Sequence, residues 1–311
     1  LNNYDGKDIV VNGEVVTAVK DYPELAQYVG KTMVVTDGST LLGADDKAGV
    51  AIILSAMEYL VNHPEVPHGD VHVGFTPDEE VGLGASLFDV KGFHCDFAYT
   101  VDGGAVDCID YENFNDAHAG VTVQGNSIHP GSAKDKMVNA IHVAEEFDAM
   151  LPVQQRPEHT SGYEGFYHLM QFNGTVDGVT LEYIIRNHSR EQFEQMKSFM
   201  MQCTRHMQKR YTTDTITTTI TDTYYNMKEC FAGKEEVVEY ARRAISRLGM
   251  TPRHSAIRGG TDGATLTYMG LPCPNLGTGG GYCHGKHEYL CVEDLNTMVD
   301  VVLGIVDEVA K

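Results

Sequence analysis

The stretch from Ala119 to Asp222 constrains the fold more than any other feature, because its apolar periodicity switches repeatedly in a fixed order. AGVTVQG (Ala119 to Gly125) alternates with a period of two, and MVNAIHVAEEFDAML (Met137 to Leu151) repeats at helical spacing. LMQFNGTV (Leu169 to Val176) and VTLEYIIR (Val179 to Arg186) alternate again around an Asp-Gly turn, a hairpin signal. REQFEQMKSFMMQCTRHMQKR (Arg190 to Arg210) is helical, and DTITTTITD (Asp214 to Asp222) is a Thr-rich strand. The order β-α-β-β-α-β predicts a ferredoxin-like α+β sandwich.

The flanking segments carry a different pattern. AGVAIILSAMEYLVNH (Ala48 to His63) reads as a helix, with Asp45 and Asp46 where a helix N-terminus favours negative charge. DVHVGF (Asp70 to Phe75) and DFAYTVD (Asp96 to Asp102) read as buried strands, which suggests an α/β layer with a largely parallel sheet. EEVVEYARRAISRLG (Glu235 to Gly249) and VEDLNTMVDVVLGIVDEVAK (Val292 to Lys311) resume the helical spacing. The chain of 311 residues is long enough for two domains. The expected division is a catalytic α/β domain over residues 1–113 and 225–311, with a small domain, 114–224, inserted as a lid.

Ligands of open α/β sheets bind beyond the carboxyl ends of the strands. The residues that follow each expected strand are Asp45 and Asp46, then Asp78, Glu79 and Glu80, then Asp102, then His284. Taken singly, Asp45 and Asp46 are helix caps, Asp102 before Gly103 is a turn, and His284 is one of fourteen histidines. Taken together, like charges on one rim cost stability unless cations neutralise them. Carboxylates with imidazole suit Zn²⁺, Mn²⁺ or Co²⁺ in a hydrolytic two-metal site. Neighbouring side chains on an extended segment point oppositely, so Glu79 and Glu80 divide into one metal ligand and one general base.

Other chemistry finds weaker support. Cys273, Cys283, His284 and His287 hold the atoms for a structural zinc, but at the wrong spacing for a Cys knuckle. The GTGGG run at Gly277 to Gly281 precedes HGKHE instead of an apolar helix, which disfavours a nucleotide site. The sequence contains no G-x-S-x-G, H-E-x-x-H or P-loop motif. A net charge of −21 without a dense Lys/Arg cluster argues against nucleic acid and anionic membrane as partners. Seven widely spaced cysteines without a C-x-x-C pair read as reduced thiols of a cytoplasmic protein. No stretch approaches the ~20 apolar residues that cross a bilayer.

TLLGADDKAGVA, VPHGDVHVGFTPDEEVGLGA, AYTVDGG, NSIHPGSAKDKMVNA, GYEGFYHL, IRGGTDGA, MGLPCPNL and GKHEY together resemble the M20 family of dinuclear zinc exopeptidases, through almost the whole chain. The resemblance implies a zinc-exopeptidase-like mixed sheet with flanking helices. The activity it implies is metal-dependent removal of the N-terminal residue from tripeptides. A related dipeptidase, an N-acyl amino acid deacylase and an inactive fragment stay open, because spacing does not define pocket shape. The implied cofactor is two Zn²⁺ ions, with Co²⁺ or Mn²⁺ as substitutes. Asp45 resembles the bridging ligand, Glu80 a ligand to one metal, Asp102 a ligand to the other, and Glu79 the general base. His284 rather than His287 fits the terminal ligand, since the family pattern is His, three residues, then Glu. His129 resembles the lid histidine that binds substrate or the oxyanion. Arg186 and Arg258 are candidates to hold the peptide's C-terminal carboxylate. The inserted domain is expected to close over small peptide substrates and to carry homodimer contacts. The family supplies one more metal-binding His in an H-x-D motif; no His precedes Asp45 here, so an upstream segment is expected to hold it.

Overall fold

The computed structural model describes residues 1–11, 15–212 and 214–311. They form two compact units, 1–111 with 227–255 and 261–311, and 112–226 with 256–260. The short return of 256–260 to the second unit has no counterpart in the periodicity of the sequence.

In the first unit, β1 (Ile9–Val10) pairs with β2 (Val16–Thr17), and β3 (Met33–Val35) leads toward helix α1 (Ala44–Asn62). Helix α2 (Val90–Phe93) precedes β4 (Thr100–Gly103) and β5 (Ile109–Asp110). After α5 (Glu236–Arg247) and α6 (Asp262–Tyr268) come β10 (Asn275–Gly277), β11 (Gly280–Gly281), β12 (Tyr289–Cys291) and α7 (Val292–Val309). One sheet runs β4-β10-β5 and another β11-β12-β3. Among the described residues of these two sheets, the β4–β10 ladder is parallel and the β10–β5, β11–β12 and β12–β3 ladders are antiparallel, so the arrangement is mixed rather than largely parallel.

DVHVGF forms no strand among the described residues. Val71, Val73 and Phe75 are all exposed. Alternation prepares a segment for a sheet, but the ladder bonds come from a neighbour, and among the described residues this segment joins none. Helix α1 packs tightly on β4. A Cβ at Gly49 would lie 1.9 Å from the Val101 carbonyl oxygen, so glycine sets the approach of helix to strand.

The second unit carries β6 (Asn115–Gln124), α3 (Ala140–Ala149), β7 (Phe166–Gly174), β8 (Gly178–Asn187), α4 (Arg190–Arg210) and β9 (Ile216–Tyr224). Its antiparallel sheet runs β7-β8-β6-β9, the ferredoxin-like order. Alternate residues Ala117, Ala119, Val121 and Val123 of β6 are buried with Leu181, Tyr183 and Ile185 of β8 against Phe147 of α3 and Phe193, Met196 and Met200 of α4. Asn139 and Ser189 cap α3 and α4 through their side chains.

Candidate metal centre

Three segments of the first unit present acids to one place. Asp45 and Asp46 open α1 with non-helical backbone angles. Asp46 accepts from the Gly49 amide at 2.9 Å, the helix-capping role. The Glu79–Val81 turn is bounded by left-handed Asp78 and Gly82. Its base is held by Asp262, which accepts from the Thr76 hydroxyl at 2.6 Å and the Ala85 amide at 3.0 Å. Asp102 lies in β4, which Gly49 brings against α1.

His284 reaches the same place from the segment that joins β11 to β12. Its Nε2 lies 3.0 Å from Asp45 Oδ2 and 3.0 Å from Glu80 Oε2. Four residues on, Glu288 is only 2 % exposed and accepts from the Gly43 amide at 2.7 Å and the Asp45 amide at 3.1 Å. The segment that carries His284 thus also fixes the backbone of Asp45. His287 instead bonds Thr17 at 2.8 Å and packs on Tyr22.

Asp45, Glu80 and His284 bring one donor atom each within 4.8 Å of one another, and so do Asp45, Asp46 and Asp102. Asp45 belongs to both groups. Glu79 stands outside both, half-buried. Burial, followed by the charges of Asp46, Asp45 and Glu79, pushes the Asp102 carboxyl well above the usual carboxylate range. Burial with the Asp45 and Glu79 charges pushes Asp46 up to about 7, against the Gly49 hydrogen bond. Glu79 is raised by burial and then by Asp262, Glu80 and Asp45. Partial burial pulls His284 down, but Glu80 and Asp45 outweigh it and hold the imidazolium above its ordinary range. Among the described residues these acids ion-pair with His284 alone, through Asp45 and Glu80, and an oxygen-and-nitrogen donor set of this kind fits divalent cations.

In the second unit, exposed His129 accepts the Gly131 amide at Nδ1, 3.1 Å away. An amide can only donate, so the neutral ring carries its proton on Nε2. Arg186 Nε pairs with Asp116 at 2.6 Å. Arg258 donates to the Gly162 and Glu164 carbonyls and the Thr160 hydroxyl at 2.6, 3.1 and 2.9 Å, and lies over the Phe114 and Phe166 rings.

Sequence reasoning assigns no role at the site to Asp46, Asp262 or Glu288. Asp46 has the same signature as any helix cap. Asp262 and Glu288 stand inside recognisable motifs, IRGGTDGA and GKHEY, but their partners are backbone amides and a hydroxyl 177 to 245 residues away.

Mixed sheets with flanking helices and two donor groups joined by one carboxylate define a candidate two-metal hydrolase. The chain belongs to peptidase family M20/M25/M40, whose model matches residues 34–308. It is 52% identical over 313 residues to a "Peptidase T" of Clostridium novyi (strain NT), covering 100% of this chain and 77% of that protein. It is 49% identical over 308 residues to a "Peptidase T" of Geobacillus kaustophilus (strain HTA426), covering 98% of this chain and 75% of that protein. Its fold is similar to the crystal structure of aminopeptidase PepT from Bacillus cereus, with a TM-score of 0.79 and 29% identity, over 91% of this chain and 77% of that one.

Proposed function

We infer that this chain is a metal-dependent aminopeptidase that removes the N-terminal residue of tripeptides. The observation that carries the reading is the pair of donor groups sharing Asp45, with Glu79 beside them and free of both. Full-length similarity to relatives named "Peptidase T" supports the substrate class.

Asp45, Glu80 and His284 would hold one ion, and Asp45 and Asp102, with Asp46 alongside, the other. Zinc suits these donors, and Co²⁺ or Mn²⁺ could substitute. Bound there, the pair supplies a polarised substrate carbonyl and an acidified water. Glu79 takes the proton of the attacking water and passes it to the leaving amine. His129 offers its Nε2 proton to the substrate oxygen on which negative charge develops. The C-terminal carboxylate of the peptide is assigned to Arg186 and Arg258.

The inserted segment 114–224 is proposed as a lid and as a homodimer surface. Support for the latter is the edge strand β7, where Met170 and Phe172 are exposed. Seven unpaired cysteines support a reducing, cytoplasmic setting.

Two measurements test the reading. Glu79→Ala should abolish turnover and leave metal content nearly intact; loss of the metal with it would exchange the assignments of Glu79 and Glu80. Rates on matched di-, tri- and tetrapeptides and N-acyl amino acids should peak with tripeptides, and a flat profile would count against the substrate class.

A further inference from the structure

Asp262 is a buried carboxylate, 8 % exposed, and among the described residues it has no ion-pair partner. A buried charge without a cation is costly, and more so beside a site that already gathers several carboxylates. Its two oxygens are divided. Oδ2 accepts from the Thr76 hydroxyl at 2.6 Å and Oδ1 from the Ala85 amide at 3.0 Å. Those partners bracket the loop 77–84, on which Glu79 and Glu80 stand. Within the loop, Gly82 donates to the Glu79 carbonyl at 2.7 Å and Leu83 to the Asp78 carbonyl at 3.1 Å. The loop is therefore cinched near its apex and clamped at its base. The approach is close enough that a Cβ at Gly84 would lie 2.3 Å from Asp262 Oδ2.

We propose that Asp262 is a positioning residue for the reaction. One carboxylate closes both ends of the acid-bearing loop, so that Glu79 faces the water and Glu80 faces the ion without either searching for its place. The role in catalysis rests on Glu79 as base and Glu80 as metal ligand, whereas the clamp itself is a property of the fold. An ionised carboxylate suits two donors, since it offers only acceptors. An asparagine in its place can still accept from Ala85 through its oxygen and donate to the Thr76 hydroxyl through its amide.

The test compares Asp262→Ala, Asp262→Asn and Thr76→Val in the full chain. Amide hydrogen exchange of residues 78–84 should be about 10-fold faster in Asp262→Ala, smaller in effect in Thr76→Val, and close to the parent in Asp262→Asn. With zinc present, kcat on a tripeptide should fall roughly 10- to 100-fold in Asp262→Ala, the range typical for groups that orient metal ligands, while KM moves less than about threefold. Asp262→Asn should recover most of that kcat. Unchanged loop exchange in Asp262→Ala would overturn the proposal, and so would an Asp262→Asn protein as impaired as Asp262→Ala. If Asp262→Ala does not fold, Thr76→Val with Asp262→Asn decides on the same readouts. Parent protein inactive on every peptide, with the exchange pattern as stated, would overturn the functional reading and leave the clamp in place.

Discussion

Asp46 and Asp102 are raised in opposition to what an exposed carboxyl does, and the direction has a measurable consequence. In the unfolded chain both titrate near the ordinary value of about 4. The folded, metal-free protein therefore holds protons that the unfolded chain releases. Stability linked to these groups is complete below about pH 4 and is lost as pH climbs through Asp46's value of about 7 and on toward that of Asp102. With a chelator present, the thermal midpoint should fall from pH 5 to pH 8.5. Asp102→Asn, which stays neutral throughout, should flatten that fall, and an equal slope in the parent and the variant would refute burial of these two carboxyls as its cause. Saturating zinc should also flatten it, because a bound cation favours the charged carboxylates.

At the scale of elements, the decisive contact is α1 on β4. In an ordinary helix interior, Gly→Ala stabilises by about 1 kcal/mol. At Gly49 the added methyl would meet the Val101 carbonyl 1.9 Å away, and overpacking of that kind costs about 1–3 kcal/mol or more. The clash should win: Gly49→Ala is expected to lower the denaturant midpoint and weaken zinc binding together, since Asp45 and Asp46 ride on the helix and Asp102 on the strand. An unchanged or higher midpoint would contradict a clash at this contact. Contacts between elements also decide what could be read in the sequence. The ferredoxin-like unit was legible because each of its strands finds partners within the segment, so that periodicity and pairing agree. DVHVGF has the same alternation but joins no strand among the described residues, and it stays exposed. Asp45, Glu80, Asp102 and His284 were legible as residues that follow apolar runs, and the structure gathers them. Asp262 and Glu288 were not, because a carboxylate that braces a loop is defined by amides and hydroxyls far along the chain, and periodicity carries no trace of that.

At the scale of the molecule, the chain carries 44 acidic and 23 basic side chains, and the carboxylates of Asp45, Asp46, Glu80 and Asp102 gather at the candidate centre of the first unit. A centre that binds cations when native and is not assembled in the unfolded chain links metal to folding. Free zinc at about 100 times its dissociation constant should add about 2.7 kcal/mol of stability. The variants separate this linkage from catalysis. Glu79→Ala should keep the zinc-dependent rise of the thermal midpoint, since Glu79 lies in neither donor group. Asp45→Ala should lose most of it, since Asp45 lies in both, and His284→Ala should lose a smaller part, since it serves one. The same series titrated with magnesium should show little rise, because an imidazole ligand favours zinc, cobalt or manganese over a cation that prefers oxygen alone. Equal loss in Glu79→Ala and Asp45→Ala would mean that the shared carboxylate is not what joins the two groups.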